Sequence, residues 1–382
     1  MKIAFVYDAV YPYRIGGVEK RIFEMSRRLV HRGHEIHIFG LKEWVGDASC
    51  IKDGVHYHGL GQSRPFYTHG RRSIGEACYF GWKVFLPLLN EHFDIIDCQN
   101  FPYFSCFSAA FGSKMKHSHL VITWHEVWKD YWTQYLGISG YPGIVIEQLV
   151  SLLSPNMVAV SDLTKNELLS IRKGVKIAVI PNGIDFGHIN TVPPSVITSD
   201  IIFSGRLLKE KNVGLLIRSL ALIHKELPEI RCIIIGDGPE RESLENLVKE
   251  CDLEQNVVFF GFLQKHDEVI ALMKSSRVYT SPSTREGFGI AALEAMACGL
   301  PVVTVDGPKN AVKELVTDKT GRVSSLSPET FAEAVIGCLH AKDLMAGYCM
   351  ELAREYNWDK IVEKTEEYYS GIIEMDQRTS KG

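Results

Sequence analysis

Short runs of β-branched and other apolar residues alternate along this chain with longer stretches in which apolar positions recur every three or four residues. The runs KIAFVYD, HEIHIFG, FDIIDCQ and HLVITWH read as strands by composition and by their flanks. Between the first two, VEKRIFEMSRRLVHRG places Ile22, Met25, Leu29 and Val30 on one helical face and stops at Gly33. MVAVSD and KIAVIPNGID continue the same order. Strands joined by amphipathic helices predict a parallel sheet covered on both faces.

After Asp185 the pattern lapses. FGHINTVPPSVITSD is polar, contains proline and has no periodicity, so a linker is expected over residues 186–198. The alternation restarts at IIFSGRL and continues through RCIIIGDG, NVVFFGF, RVYTSPS and PVVTVD. The expected fold is α/β, with two doubly wound parallel-sheet (Rossmann-like) domains, 1–185 and 199–356, facing a central cleft. EYNWDKIVEKTEEYYSGIIE reads as a final helix with a polar break at Asn357, and the last eight residues look frayed. Open parallel sheets bind ligands beyond the carboxyl ends of their strands. Functional residues should therefore follow the strands.

Composition sharpens this picture in a few places. The 382 residues are 46% hydrophobic and 23% charged, ordinary for a globular protein. Nine scattered cysteines without a C-x-x-C pair argue for a reducing compartment, so a cytoplasmic location is expected. The apolar run at the N-terminus stops at Asp8 and reads as a first strand rather than a signal peptide. No run approaches the ~20 apolar residues that span a bilayer. The net charge of −4 is unevenly spread. Residues 1–185 carry 20 Lys/Arg against 17 Asp/Glu, or +3; the rest carries 22 against 29, or −7. Different partners for the two domains would explain this, and so would chance variation of surface charge. No nucleic-acid partner is expected.

Five motifs fall where strands end. Gly16 and Gly17 in YRIGGVEK separate the first strand from the first helix, as a close backbone approach to a ligand or a simple tight turn would require. His125 in TWHEVWKDYW follows a strand and could hydrogen-bond a ligand or only pack among aromatic rings. Arg206 and Lys211 in FSGRLLKEKN pair a guanidinium fork with a point charge, which suits a diphosphate; a solvated basic loop is the alternative. Gly236-Asp237-Gly238 lacks the third glycine of a dinucleotide fingerprint and reads as a turn beside a ligand.

The fifth motif, REGFGIAALEAMACGLPVV, holds Glu286 and Glu294 eight residues apart. Gly287 and Gly289 precede a helix expected to start near Ile290 and to end by Gly299. The amides of Phe288 to Ala291 would then be free, and the helix dipole favours an anion there by ~0.3–1 kcal/mol. The two carboxylates can accept hydrogen bonds from hydroxyls. A ligand with a charged middle and hydroxyl-rich ends fits this layout, as a nucleotide sugar would. An acidic first turn that only complements the dipole explains neither the glycines nor the second acid.

With these motifs in order, the sequence resembles the retaining glycosyltransferases of family four, of GT-B fold, over nearly its whole length. GGVEKRIFEMSRRLVHRGHEI, VSDLTKNEL and IPNGID resemble the family's first half; GRLLKEKN, IIGDGP and REGFGIAALEAMACGLPVV resemble its donor-side motifs. The resemblance implies that Arg206, Lys211 and the amides of Phe288, Gly289 and Ile290 neutralise a donor diphosphate. It implies that Glu294 binds ribose hydroxyls, that Glu286 lies by the donor sugar, and that His125 contacts that sugar near its reacting carbon. Gly16 and Gly17 match the loop near phosphate and acceptor. No metal or other cofactor is implied, and the C-terminal helix, 357–382, would complete the first domain. The implied reaction moves a hexose from a UDP- or GDP-sugar to a hydroxyl of a glycan, glycolipid or lipid-linked acceptor.

The acceptor side departs most from the family. GQSRPFYTHGRRSIGEACYFGWKVFLPLL joins Arg64, Arg71 and Arg72 to an apolar, aromatic helix. It suggests an anionic or lipid-linked acceptor and peripheral contact of the N-terminal domain with the inner membrane face; a surface loop before a core helix is the alternative. Rival functions are a nucleotide-sugar epimerase, a dinucleotide-dependent oxidoreductase and a silent sugar-nucleotide binding module. The absent fingerprint argues against the second, and the complete residue set argues against the third.

Overall fold

The computed structural model describes residues 1–68 and 71–379. The chain forms two compact units, Met1–Asn182 with Trp358–Gly382, and Gly183–Asn357. The first begins β1 (Lys2–Val6), α1 (Gly17–His31), β2 (Glu35–Lys42), β3 (Ser49–Lys52) and β4 (Val55–Gln62). A short pair, β5 (Tyr67–Thr68) and β6 (Arg71–Arg72), leads to α2 (Ile74–Phe85) and α3 (Pro87–Asn90). Then come β7 (Ile95–Gln99), α4 (Tyr103–Lys116), β8 (His119–Trp124), α5 (Tyr131–Leu136) and α6 (Tyr141–Ser151). The unit continues with β9 (Asn156–Ala159), α7 (Asp162–Ile171) and β10 (Ile177–Val179).

Its sheet runs β10-β9-β8-β7-β1-β2-β4-β3, with only the edge strand β3 antiparallel. Parallel strands covered on both faces are apolar at successive positions, and Ile3 to Val6, Ile95 with Ile96 and Val121 with Ile122 are all buried.

The second unit holds α8 (Phe186–Thr191), β11 (Ile201–Ser204), α9 (Val213–Glu226), β12 (Cys232–Ile235) and α10 (Arg241–Glu250). It continues with β13 (Val257–Gly261), α11 (His266–Lys274), β14 (Val278–Ser281), β15 (Arg285–Glu286) and α12 (Ile290–Ala297). It closes with β16 (Val302–Val305), β17 (Lys309–Asn310), β18 (Gly321–Ser324) and α13 (Pro328–Arg354). The main sheet is β13-β12-β11-β14-β16-β18, and β15 pairs with β17 apart from it. Strand order reverses beside β1 in the first sheet and beside β11 in the second, so each has a crevice at its carboxyl edge there.

Residues 186–198, expected as a linker, differ from that expectation. They belong to the second unit, where Phe186, Ile189 and Val192 are buried. Lys274 of α11 donates to the carbonyls of Asn190 (3.0 Å) and Val192 (2.6 Å), and Ser195 N–H donates to Ala271 O (3.0 Å). A helix of six residues is too short to display a period, which is why the sequence pattern lapses there. The chain leaves the first unit after Asn182 and returns at Trp358, where α14 (Trp358–Thr379) begins. Trp358, Ile361, Val362 and Tyr369 enter the first unit's core. Residues 380–382 of the expected C-terminal helix lie outside the described residues.

Candidate active site

In the second unit, Arg206 and Lys211 follow β11, and Glu286 follows β14. Two contacts draw these loops together. Thr284 N–H donates to Glu210 O (2.8 Å), and Thr284 Oγ1 donates to the same carbonyl (3.2 Å). Lys211 Nζ is thereby brought onto Glu286 as an ion pair. Glu286 is further held by the register of β15 and β17, which sets it opposite Asn310. Asn310 is buried and its amide is fixed by Thr304 Oγ1 and Val305 O, both at 2.9 Å. Arg206 is exposed on the same loop.

Gly289 caps α12 at φ +97°, a left-handed conformation that favours glycine, and a Cβ there would lie 2.5 Å from Val312 Cγ2. The first bond of the helix is Leu293 N–H to Gly289 O, 3.2 Å, so the amides of Ile290, Ala291 and Ala292 have no acceptor within it. Phe288 is buried just before the cap. Glu294, one turn in, is buried and receives His266 Nε2 at 2.9 Å. His266 was not anticipated; it starts α11 in a stretch, FLQKHDEV, with no distinguishing pattern. Gly236 and Gly238 shape a turn, as expected, and their role is visible: Cβ atoms there would fall 1.9 Å from Gly205 O and 2.4 Å from Leu207 O. They let this turn pack onto the Arg206 loop.

In the first unit, His125 lies just beyond β8 at the carboxyl edge of the sheet. Its Nε2 is 2.7 Å from Gln99 Oε1, and its backbone N–H donates to Asn100 Oδ1 (3.1 Å). Gln99 Nε2 donates in turn to Asp97 Oδ1 (2.9 Å), which fixes the amide so that its oxygen faces the histidine. Nε2 therefore carries the proton, and Nδ1 is left as an acceptor. Asp97 is buried and also accepts from Thr123 Oγ1 (2.8 Å) and from Tyr369 Oη, a residue of α14. Packing around the ring, and secondarily the Arg21 guanidinium, push the pKa of His125 down to about 3. The imidazole is thus neutral at physiological pH. Gln99, Asp97 and Tyr369 were missed by the sequence reading, since their link to His125 crosses two strands and a distant helix.

Gly16 caps α1 in extended backbone and Gly17 is its first residue. A Cβ on Gly16 would meet the Glu19 carboxylate at 2.4 Å. Asp8, at the end of β1, is fully buried and pairs with Arg72, which also holds Glu76 at 3.3 Å. Burial pushes the Asp8 carboxyl up to about 8 against the pull of Arg72, and burial raises Glu76 and Glu19 as well. Of the three arginines expected to serve an anionic acceptor or a membrane face, Arg64 is exposed and Arg72 is half-buried. Arg72 is consumed by two acids, Arg64 lies over the Tyr79 ring (3.7 Å), and the Arg71 side chain lies outside the described residues.

Among the described residues, one group has metal-ligand chemistry: Glu35, His37 and His56, with ligand atoms within 4.8 Å of one another. It sits at the amino ends of β2 and β4, the opposite edge of the sheet from His125. His37 is already bonded to Glu35 (2.9 Å) and His58 (2.8 Å), and Lys2 is on Glu35 (3.0 Å).

Comparison with known proteins bears on the family and the fold. The family model "Glycosyltransferase Family 4" matches residues 15–188, and "Glycosyl transferases group 1" matches residues 198–360. The phosphatidylinositol N-acetylglucosaminyltransferase gpi3 subunit of Schizosaccharomyces pombe is 24% identical over 380 residues, covering 96% of this chain and 80% of that protein. Among solved structures, sucrose-phosphate synthase of Thermosynechococcus elongatus superposes with a TM-score of 0.82 at 18% identity, covering 98% of this chain and 99% of that one. Anabaena HepE in complex with UDP and glucose gives 0.73 at 20% identity, covering 97% and 100%. From the order of its motifs, its paired α/β units and these matches, the chain belongs to the group 1 glycosyltransferases of family 4, with the GT-B fold.

Proposed function

We propose that this glycosyltransferase moves a hexose or N-acetylhexosamine unit from a UDP- or GDP-sugar to a hydroxyl of a glycan, glycolipid or lipid-linked acceptor, with retention of configuration and without a divalent metal. The observation that carries the reading is the second unit's arrangement: Lys211 against Glu286, then a glycine-capped helix, then buried Glu294 one turn in. Diphosphate oxygens take the amides at the start of α12 with Lys211 and Arg206, and the ribose takes Glu294. Glu286 releases Lys211 on binding and turns to the sugar hydroxyls. The relatives' names make N-acetylglucosamine the first donor sugar to try, and UDP is the nucleotide bound in the Anabaena structure.

In the proposed reaction, the bond from sugar C1 to the diphosphate oxygen breaks, and its electrons stay on the diphosphate. Preorganised cations and amides stabilise that charge as it develops. The acceptor hydroxyl attacks C1 from the same face and passes its proton to the departing diphosphate. Neutral His125, with Nε2–H engaged by Gln99, offers Nδ1 as acceptor to a donor-sugar hydroxyl and holds the ring in register. Glu19, whose carboxylate lies against Gly16, offers a hydroxyl-binding carboxyl for the acceptor.

The test is incubation with a panel of nucleotide sugars, following free nucleoside diphosphate with and without acceptors and with and without a chelator. Release that chelation leaves unchanged supports the reading. Isomerised sugar with the nucleotide intact, or release abolished by chelation and restored by a divalent ion, refutes it in its respective part.

A further inference from the structure

Three neighbouring helices of the first unit carry a second apolar stripe on the side open to solvent. α2 packs on α4, and α4 on α6. On α2 and its cap, Ile74, Trp82 and Leu86 are 59%, 73% and 62% exposed, at steps of four or eight residues. On α4, Phe111 and Met115 are exposed four residues apart; on α6, Tyr141, Val145 and Leu149 repeat the same step. Residues four apart share a helix face. A surface helix ordinarily puts charged and polar groups there.

The stripes adjoin because small residues let the helices approach. A Cβ on Gly81 would lie 2.8 Å from Phe104 Cβ, and one on Gly112 would lie 3.1 Å from Leu88 Cβ. The rings of Phe85 and Phe111 then meet at 5.2 Å. Near the amino ends of the three helices lies a cavity of about 150 Å³, lined chiefly by apolar side chains including Phe104, Trp132, Leu136 and Ile146.

The charges on these helices are one-sided. Lys83 and Lys114 are exposed and Lys116 is half-buried, while the only acids, Glu76 and Glu147, are buried. Glu147 accepts from Tyr103 Oη (2.7 Å) and from the amides of Trp128 and Lys129 (2.8 Å each). The layer therefore presents large apolar side chains and lysines, with no exposed carboxylate. A second copy meeting this face through a two-fold contact would set lysine against lysine.

We propose that the α2–α4–α6 layer docks on an anionic lipid bilayer, its apolar stripes at the headgroup–acyl boundary and its lysines among the lipid phosphates. This deepens the reading of a lipid-linked acceptor and rests on it for its purpose. It also moves the membrane contact away from Arg64, Arg71 and Arg72.

The test is partitioning of the full chain onto phosphatidylcholine vesicles with and without phosphatidylglycerol. The wild type is expected to bind the anionic vesicles and to lose binding in high salt. The Lys83→Gln/Lys114→Gln/Lys116→Gln variant should lose about fivefold per lysine, and Trp82→Gln/Val145→Gln should also weaken binding. These positions are mostly solvent-exposed, and unchanged thermal melting confirms each variant's fold. The proposal is overturned if the wild type fails to bind anionic vesicles, or if both variants bind as it does. A concentration-dependent dimer that Trp82→Gln/Val145→Gln abolishes, without vesicle binding, would assign the face to a second copy instead. Diphosphate release from donor sugars in detergent-free solution tests the transfer reaction separately, so the two readings can fail independently.

Discussion

Replacing Gln99 by leucine tests how His125 is held. The substitution removes the 2.7 Å bond to His125 Nε2 and one of the donors to Asp97, whose carboxylate keeps Thr123 and Tyr369. A half-buried imidazole N–H left without its acceptor costs ~1–2 kcal/mol. The ring can recover part of this by moving its proton to Nδ1 or by rotating, and either change removes the acceptor that we assign to the donor sugar. A loss of ~1–2 kcal/mol in the transition state corresponds to a fall of about 5–30-fold in kcat/KM. Nitrogen-15 NMR of the histidine side chains reports the tautomer directly, and initial rates of diphosphate release report the kinetic effect. In the wild type, His125 should be the Nε2–H tautomer and should stay unprotonated down to pH 5, because its pKa lies at about 3. In Gln99→Leu the Nδ1–H form should gain population as the rate falls. A wild-type ring protonated at Nδ1, or a Gln99→Leu variant with unchanged kcat/KM, would refute the reasoning.

Gly289→Ala should weaken UDP or GDP binding about 5–30-fold by calorimetry, because the left-handed backbone strains a side chain by roughly 1–2 kcal/mol and the Cβ meets Val312; affinity within twofold of wild type would remove α12 from the diphosphate site. Lys211→Ala and Glu294→Ala should each weaken nucleotide-sugar binding about 10–100-fold, the range of lost charge-assisted bonds. Unchanged affinity in both would count against the assigned site. Asp8 titrates at about 8 when folded, against 3.8 when free, so the folded state holds the extra proton between those values. Its contribution to stability is lost as pH rises toward 8, and above pH 6.5 the opposing effect of His125, whose pKa is depressed, has already saturated. Melting temperature should therefore fall from pH 6.5 to 8, and less so in Asp8→Asn; parallel curves would show that Asp8 does not carry the effect.

The α/β alternation, the two units and the glycine-led start of α12 were legible because each is written in local sequence. Parallel strands buried on both faces leave continuous apolar runs, and Gly289 marks a helix start that only a residue without a Cβ can make there. The linker was misplaced because α8 is too short for its period to show. The partners of Arg72 were not legible, because Asp8 and Glu76 stand 64 and 4 positions away and sequence spacing does not connect the first.

The sequence by itself thus determined the fold class, the family and the order Arg206, Lys211, Glu286, Glu294, since these rest on short-range pattern and spacing. The tertiary structure alone decided which side chains become partners. It closed Lys211 on Glu286 through Thr284 and Glu210, set His266 on Glu294, and tied His125 through Gln99 and Asp97 to Tyr369 on a helix 244 residues later in the chain. It also turned three apolar stripes outward, where periodicity alone reads only amphipathic helices. The reason is that protonation, tautomer and exposure depend on the groups that packing brings within a few ångströms, and chain order carries no record of those distances.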